Sequence, residues 1–108
     1  MEYQIDIKKD VFEAKLSEKI TFSDLDGFRE VVKRMVEHHA QSNIVDLSDV
    51  EFIDSAGLGM LLLARDEISK MSSNLVLKAP QGQVRRMFSV ARFDQMFDIE
   101  SDQNAVPE

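Results

Sequence analysis

The sequence contains no cysteine, only two prolines and four glycines. The absence of cysteine excludes disulfides, thiolate metal sites and thiol chemistry, although it does not fix the cellular compartment. The longest uncharged, mostly apolar run extends from Ala56 to Ala64, well short of the roughly 18 residues that suggest a membrane span. The segment from Met1 to Asp6 has neither a basic start nor an apolar stretch. We therefore expect no signal peptide, no membrane insertion and a cytoplasmic protein.

A surplus of basic residues is also missing, because the formal net charge is −7. A general nucleic-acid binder needs a basic face for phosphate contacts, so the charge argues against that class. The charge suits a soluble protein whose partner carries a basic surface. With 108 residues, of which 44% are hydrophobic, the chain has the size and composition of one globular domain. We expect residues 1–100 to form this domain and residues 101–108 to be a frayed tail.

Hydrophobic periodicity in the first third of the chain predicts a hairpin followed by a helix. Apolar and polar residues alternate from Tyr3 to Ile7 and again from Phe12 to Leu16, which predicts two paired strands with one wet face. Ser23 and Asp26 have the spacing of a capping box at a helix start. Apolar residues then recur at helical spacing, namely Leu25, Phe28, Val31, Val32, Met35 and Val36.

The remaining chain alternates strand-like and helix-like segments. Strands are predicted from Ile44 to Ile53, from Asn74 to Ala79 and from Met96 to Ile99. Helices are predicted from Ser55 to Met71 and around Val84 to Ala91. Strands that alternate with helices after a leading hairpin predict an α/β domain. We expect a mixed sheet of four to five strands with about three helices.

The most informative stretch is the junction between the central strand and the second helix, where the chain reads Asp54-Ser55-Ala56-Gly57-Leu58-Gly59. Aspartate and serine oxygens satisfy the unpaired amides of a first helical turn. Glycines there let another backbone or a ligand approach closely. The pattern predicts a serine hydroxyl presented at an electropositive helix start. It leaves open whether Asp54 caps the helix or orients the Ser55 hydroxyl.

The stretch from Leu47 to Gly59 resembles the signature of the STAS domain family, the anti-sigma factor antagonists. The resemblance implies that Ser55 is phosphorylated by a partner kinase. The unphosphorylated form would bind an anti-sigma factor of the histidine-kinase-like ATPase fold, which is also this serine kinase. Phosphorylation would end the binding, and a metal-dependent serine phosphatase would restore it. The kinase would bind ATP, and this chain would need no cofactor and no metal.

The resemblance also suggests which residues contact the partner. The predicted set is Asp54, Ser55, Ala56, Gly57, Leu58, Gly59 and Met60. The neighbouring loop from Ser17 to Ser23 is expected to contribute. Relatives often carry glycine in the turn after the second strand, whereas that turn is predicted here at Leu16 to Ile20, which contains none.

Two other functions remain as alternatives. The chain could be a STAS accessory subunit of a transporter ATPase, in which phosphorylation is not the control. It could also be a small serine hydrolase with Ser55 as nucleophile and His38 or His39 as base. A nucleophile elbow requires glycine two residues before the serine, where this chain has Ile53, so we expect no enzyme. Three aspartates are interpreted as solvated strand ends and not as a metal cluster: Asp46, Asp49 and Asp54.

Overall fold

The computed structural model describes residues 1–101, which form five strands and three α-helices. The strands are β1 (Glu2–Lys8), β2 (Val11–Ile20), β3 (Ser42–Ile53), β4 (Asn74–Lys78) and β5 (Asp98–Glu100). The helices are α1 (Leu25–His38), α2 (Ser55–Ser69) and α3 (Gly82–Val90). The strands form one sheet in the order β1-β2-β3-β4-β5, in which only the β1–β2 pair is antiparallel. The predicted α/β fold with a mixed sheet and a leading hairpin is confirmed.

The hydrophobic core lies between one face of the sheet and the helices. Along β2, Phe12 and Leu16 are buried on the core face, whereas Glu13 points to the opposite face and pairs with Lys78 at 3.4 Å. The apolar stripe predicted for α1 is confirmed, and its buried members are Phe28, Val31, Val32 and Met35. Within residues 1–101, no helix is both long enough and apolar enough to cross a membrane.

The start of α1 differs from the prediction. The capping box is formed by Thr21 and Asp24, because Asp24 Oδ2 accepts a hydrogen bond from the Thr21 backbone N–H at 2.8 Å. A short 3-10 turn, Phe22–Asp24, therefore precedes the helix. Burial opposes the charged carboxylate, but hydrogen bonds from the Met1 ammonium and Thr21 outweigh it and lower the pKa of Asp24. The predicted capping box of Ser23 and Asp26 is wrong, because Thr21 and Asp24, which have the same spacing two residues earlier in the chain, form the box instead.

The predicted turn at Leu16 to Ile20 is also wrong, because β2 continues to Ile20. The register against β3 shifts between Lys15 and Ser17 and again between Glu18 and Lys19. Glu18 has φ 72° and lies in the left-handed region. The segment is therefore a bulged strand, and a bulge at this φ suits glycine better than glutamate. Much of the loop expected to contact a partner is thus part of the sheet.

The ends of two other elements differ from the prediction. Helix α2 ends at Ser69, not Met71, because the chain turns with Ser72 at φ 58°. The last strand is shorter than predicted, since a 3-10 turn at Phe93–Gln95 comes first and Phe97 packs in the core. The centroids of the Phe97 and Phe93 rings lie 4.8 Å apart, so Phe97 packs against the 3-10 turn and is not part of the strand. Most of the predicted tail, 102–108, lies outside the described residues.

Candidate functional site

The site lies where β3 ends and α2 begins, and Asp54 holds this junction together. Asp54 Oδ1 accepts a hydrogen bond from the Gly57 backbone N–H at 2.8 Å, which caps the helix. Its second oxygen, Oδ2, accepts from the Phe22 backbone N–H at 3.2 Å. The Asp54 N–H donates to the Ile20 carbonyl at 3.2 Å. Of the two roles left open for Asp54, the structure shows the cap, and both carboxylate oxygens are already engaged with backbone amides.

Ser55 is the first residue of α2, and its side chain is exposed. None of the hydrogen bonds among the described residues uses the Ser55 hydroxyl, whereas the adjacent carboxylate is fully engaged. The hydroxyl therefore stands beside a capped helix start whose dipole and free amides favour negative charge. A second protein can reach it directly from solvent.

The two glycines of the junction, Gly57 and Gly59, differ in how closely other atoms pack against them. A Cβ atom on Gly57 would lie 2.5 Å from the Ile20 carbonyl oxygen and 2.6 Å from Ile53 Cγ1. Gly57 is therefore required for the helix start to pack against the ends of β2 and β3. A Cβ atom on Gly59 would meet nothing within 4 Å. Gly59 instead leaves a shallow, exposed area one helical turn beyond Ser55.

The other predicted contact residues differ in accessibility. Ala56 and Leu58 are half-buried, whereas Met60 is only 4% exposed and packs in the core. The Met60 side chain is therefore not part of the accessible surface. Phe22, which lies in the predicted contact loop from Ser17 to Ser23, is 74% exposed. Outside the predicted set, Phe52 just before the junction and Leu63 on α2 are each 39% exposed. The sequence signal for Phe22 was a large aromatic residue flanked by the polar Thr21 and Ser23.

Gln83 is a further residue at the junction that sequence reasoning missed. Its side-chain Oε1 accepts a hydrogen bond from the Ile53 backbone N–H at 2.9 Å. Its Nε2 donates to the Ile53 carbonyl, also at 2.9 Å. The α3 start therefore holds the backbone of the residue that precedes Asp54. Nothing in the local sequence indicates this contact, because the two residues are 30 positions apart.

Neither histidine proposed as a general base lies near Ser55. The His38 ring packs 5.9 Å from the Phe12 ring, and Phe12 pairs with Asn43 near the start of β3. Since a strand rises about 3.3 Å per residue, the length of β3 separates this histidine from Ser55 by roughly 30 Å. Among residues 1–101, no three histidine, aspartate or glutamate side chains are grouped closely enough to hold a metal ion.

Comparison with known proteins gives consistent matches. The family model of the STAS domain matches residues 2–105. A STAS-domain containing protein of Pseudomonas aeruginosa strain UCBPP-PA14 is 31% identical over 81 residues, covering 75% of this chain and 79% of that protein. The crystal structure of an anti-sigma factor antagonist from Mycobacterium paratuberculosis has a TM-score of 0.84 at 19% identity, covering 95% of this chain and 87% of that one. Phosphorylated SpoIIAA, a Bacillus cell fate determinant, has a TM-score of 0.71 at 16% identity, covering 96% of both chains.

Proposed function

This chain belongs to the STAS domain family, and from this premise we propose that it is an anti-sigma factor antagonist controlled by phosphorylation of Ser55. The unphosphorylated form binds an anti-sigma factor of the histidine-kinase-like ATPase fold, which is also its serine kinase. Phosphorylation releases this partner, and a metal-dependent serine phosphatase restores binding. The anti-sigma factor antagonists that share the fold support the general class.

The observation that carries the proposal is the exposed Ser55 hydroxyl on the first residue of a capped helix. Phosphorylation adds about −1.5 to −2 charge at neutral pH. The helix dipole and the free amides of the first turn favour this charge, whereas the neighbouring carboxylate of Asp54 opposes it. Because Asp54 is held by two backbone amides, it remains in place and continues to cap the helix. We expect the phosphorylated protein to stay folded.

The effect on a bound partner is much larger. A partner that packs against Ser55, Gly59 and Phe22 would fit a surface of small and apolar groups. A phosphate dianion introduced into that contact would have to be desolvated beside the Asp54 carboxylate. Costs of several kcal/mol are typical, on the order of the loss caused by a buried unpaired charge. The switch therefore acts on association and leaves folding largely unchanged.

The proposal is tested by capturing partners from the organism that encodes this chain with three proteins: wild type, Ser55→Ala and Ser55→Asp. Wild type and Ser55→Ala are expected to retain the anti-sigma factor, whereas Ser55→Asp loses it. Incubation of the captured kinase with ATP is expected to add one phosphate to wild type and none to Ser55→Ala, as measured by intact mass. Ser69→Ala is the control, because it removes another exposed serine at the far end of α2.

Two outcomes would contradict the proposal. Equal partner capture by Ser55→Ala and Ser55→Asp would show that charge at this position does not control binding. Stable co-purification with a transporter ATPase, without phosphorylation of any variant, would favour the accessory-subunit alternative.

A further inference from the structure

Strand β3 extends beyond its neighbour β4. The pairing between them runs from Ser42 opposite Asn74 to Asp46 opposite Lys78 and then stops. On its other side, β3 remains paired with β2 as far as Ile53 opposite Ile20. The last part of β3 therefore has a neighbouring strand on one side and none on the other. Its backbone groups on the open side need other partners, because unpaired polar groups in a half-buried position are costly.

Two glutamines at the start of α3 supply these partners. The Gln81 Nε2 donates to the Ser48 carbonyl. The Gln83 carboxamide pairs with both the N–H and the C=O of Ile53, each at 2.9 Å. Gln83 thereby reproduces the two hydrogen bonds that a neighbouring strand would form. It does so at the last residue of β3, immediately before Asp54 and Ser55.

Ile53 is thus held from both sides. On one side the Asp54 N–H donates to the Ile20 carbonyl at 3.2 Å, and on the other side Gln83 holds the Ile53 peptide. We propose that Gln83 is a positioning residue for Ser55, which fixes the end of β3 so that the hydroxyl is presented in one orientation. The inference rests on the proposed function where it concerns phosphorylation. It stands on the structure alone where it concerns the junction itself.

The contact between Gln83 and Ile53 uses one acceptor and one donor at the end of the Gln83 side chain. Two substitutions of similar length therefore remove either both hydrogen bonds or only one. Methionine has a similar length and bulk, but it offers neither a comparable donor nor acceptor, so Gln83→Met removes both hydrogen bonds. Ionised glutamate only accepts, so at neutral pH Gln83→Glu keeps the bond from the Ile53 N–H and loses the bond to its C=O. Ser73→Ala is the control, since it removes a hydroxyl whose hydrogen bonds, to the Ala40 and Gln41 carbonyls and from Asn43, lie at the opposite end of β3.

The first measurement is amide hydrogen exchange followed by NMR, and it needs no partner. In Gln83→Met, the Ile53 amide is expected to exchange at least about tenfold faster than in wild type. Exchange should also be faster at Gly57 and Leu58, whose N–H groups donate to Asp54. In Gln83→Glu, the Ile53 amide should stay protected while exchange at Gly57 and Leu58 becomes faster. Ser73→Ala should change none of the three. Unchanged protection of Ile53 in Gln83→Met, or changes confined to α3, would overturn the assignment.

The second measurement is steady-state phosphorylation of Ser55 by the captured kinase. A positioning residue affects the reacting geometry more than the docking surface. For Gln83→Met we therefore expect kcat to fall about tenfold while KM stays within about twofold. Ser73→Ala should leave both parameters unchanged. An unchanged kcat, or a change in KM alone, would contradict a positioning role.

The two measurements separate failure of this inference from failure of the proposed function. If wild type is not phosphorylated by any captured kinase, the proposed function fails, and hydrogen exchange still decides whether Gln83 holds the junction. If wild type is phosphorylated and Gln83→Met reacts with the same kcat, the positioning role fails and the function stands.

Discussion

The two ends of β3 use similar polar groups in opposite ways. At the start of the strand, the buried Asn43 donates to Ser73 Oγ at 2.9 Å and to the Asn74 carbonyl at 3.2 Å. Ser73 in turn donates to two backbone carbonyls of the loop before β3. These groups link neighbouring loops inside the protein. At the other end, Asp54 and Gln83 secure the backbone while the Ser55 hydroxyl stays exposed.

This difference separates stability from recognition. A buried side chain that donates hydrogen bonds to other parts of the same chain, as Asn43 does through its Nδ2, contributes to folding, and its loss lowers the free energy of unfolding. An exposed hydroxyl on a backbone that other residues hold in place can be modified without disturbing the core. We therefore expect changes at the Asn43 end to affect stability alone, changes of the exposed Ser55 side chain to affect association, and changes of the packed residues that support it to affect stability.

The largest effect on stability is expected for Gly57→Ala. The added Cβ would press on the Ile20 carbonyl oxygen and on Ile53, so the helix start must move away from the sheet. Overpacking of this kind costs about 2–3 kcal/mol. Urea unfolding measures the change. Gly59→Ala is the matched control, because its Cβ meets nothing within 4 Å, and it should be neutral or stabilising by up to about 1 kcal/mol. Equal effects of the two substitutions would contradict the assigned roles.

Asn43→Ala is expected to have the next largest effect. It removes both hydrogen bonds of the buried amide and leaves their partners without a donor, which should lower the free energy of unfolding by about 2 kcal/mol. Well below the melting temperature, the rate of Ser55 phosphorylation should match wild type. A lower kcat for Asn43→Ala would contradict the claim that the Asn43 end of β3 affects stability alone.

Most of the fold was predictable from the sequence because its signals are local. Alternation revealed the hairpin, helical spacing revealed α1, and the Asp54-Ser55 pair marked the start of α2. The contacts that were missed join distant parts of the chain. Gln83 meets Ile53 across 30 positions, and Gly57 is required by its contact with Ile20 on another strand. Gly57 and Gly59 look equivalent in the sequence, and only the packed structure shows that one needs the absence of a Cβ atom and the other does not.

Asp54→Ala is expected to have a smaller effect on stability. It removes the cap on Gly57 and the bond from the Phe22 N–H, and cap removal typically costs about 1 kcal/mol. The same loss should loosen the helix start and slow phosphorylation of Ser55 in a kinase assay. If the variant were phosphorylated at the wild-type rate, Asp54 would act on stability alone.

The smallest effect is expected for Glu18→Gly in the bulge of β2. Glu18 adopts φ 72°, which is strained for glutamate and relaxed for glycine, so the substitution should stabilise the protein by about 0.5–1 kcal/mol. Thermal unfolding measures the change, and Lys19→Gly in the same exposed part of the strand is the control, which should destabilise. A loss of stability in Glu18→Gly would show that the glutamate side chain has a role of its own.

The most direct test of the account compares unphosphorylated and Ser55-phosphorylated protein in two measurements on the same samples. Calorimetric titration with the captured anti-sigma factor should show at least about a 100-fold loss of affinity on phosphorylation, as expected when a charge enters a packed contact. Urea unfolding of the two forms should agree within about 0.5 kcal/mol, as is usual for surface changes. Equal affinities, or loss of binding accompanied by unfolding, would contradict a switch that acts on association alone.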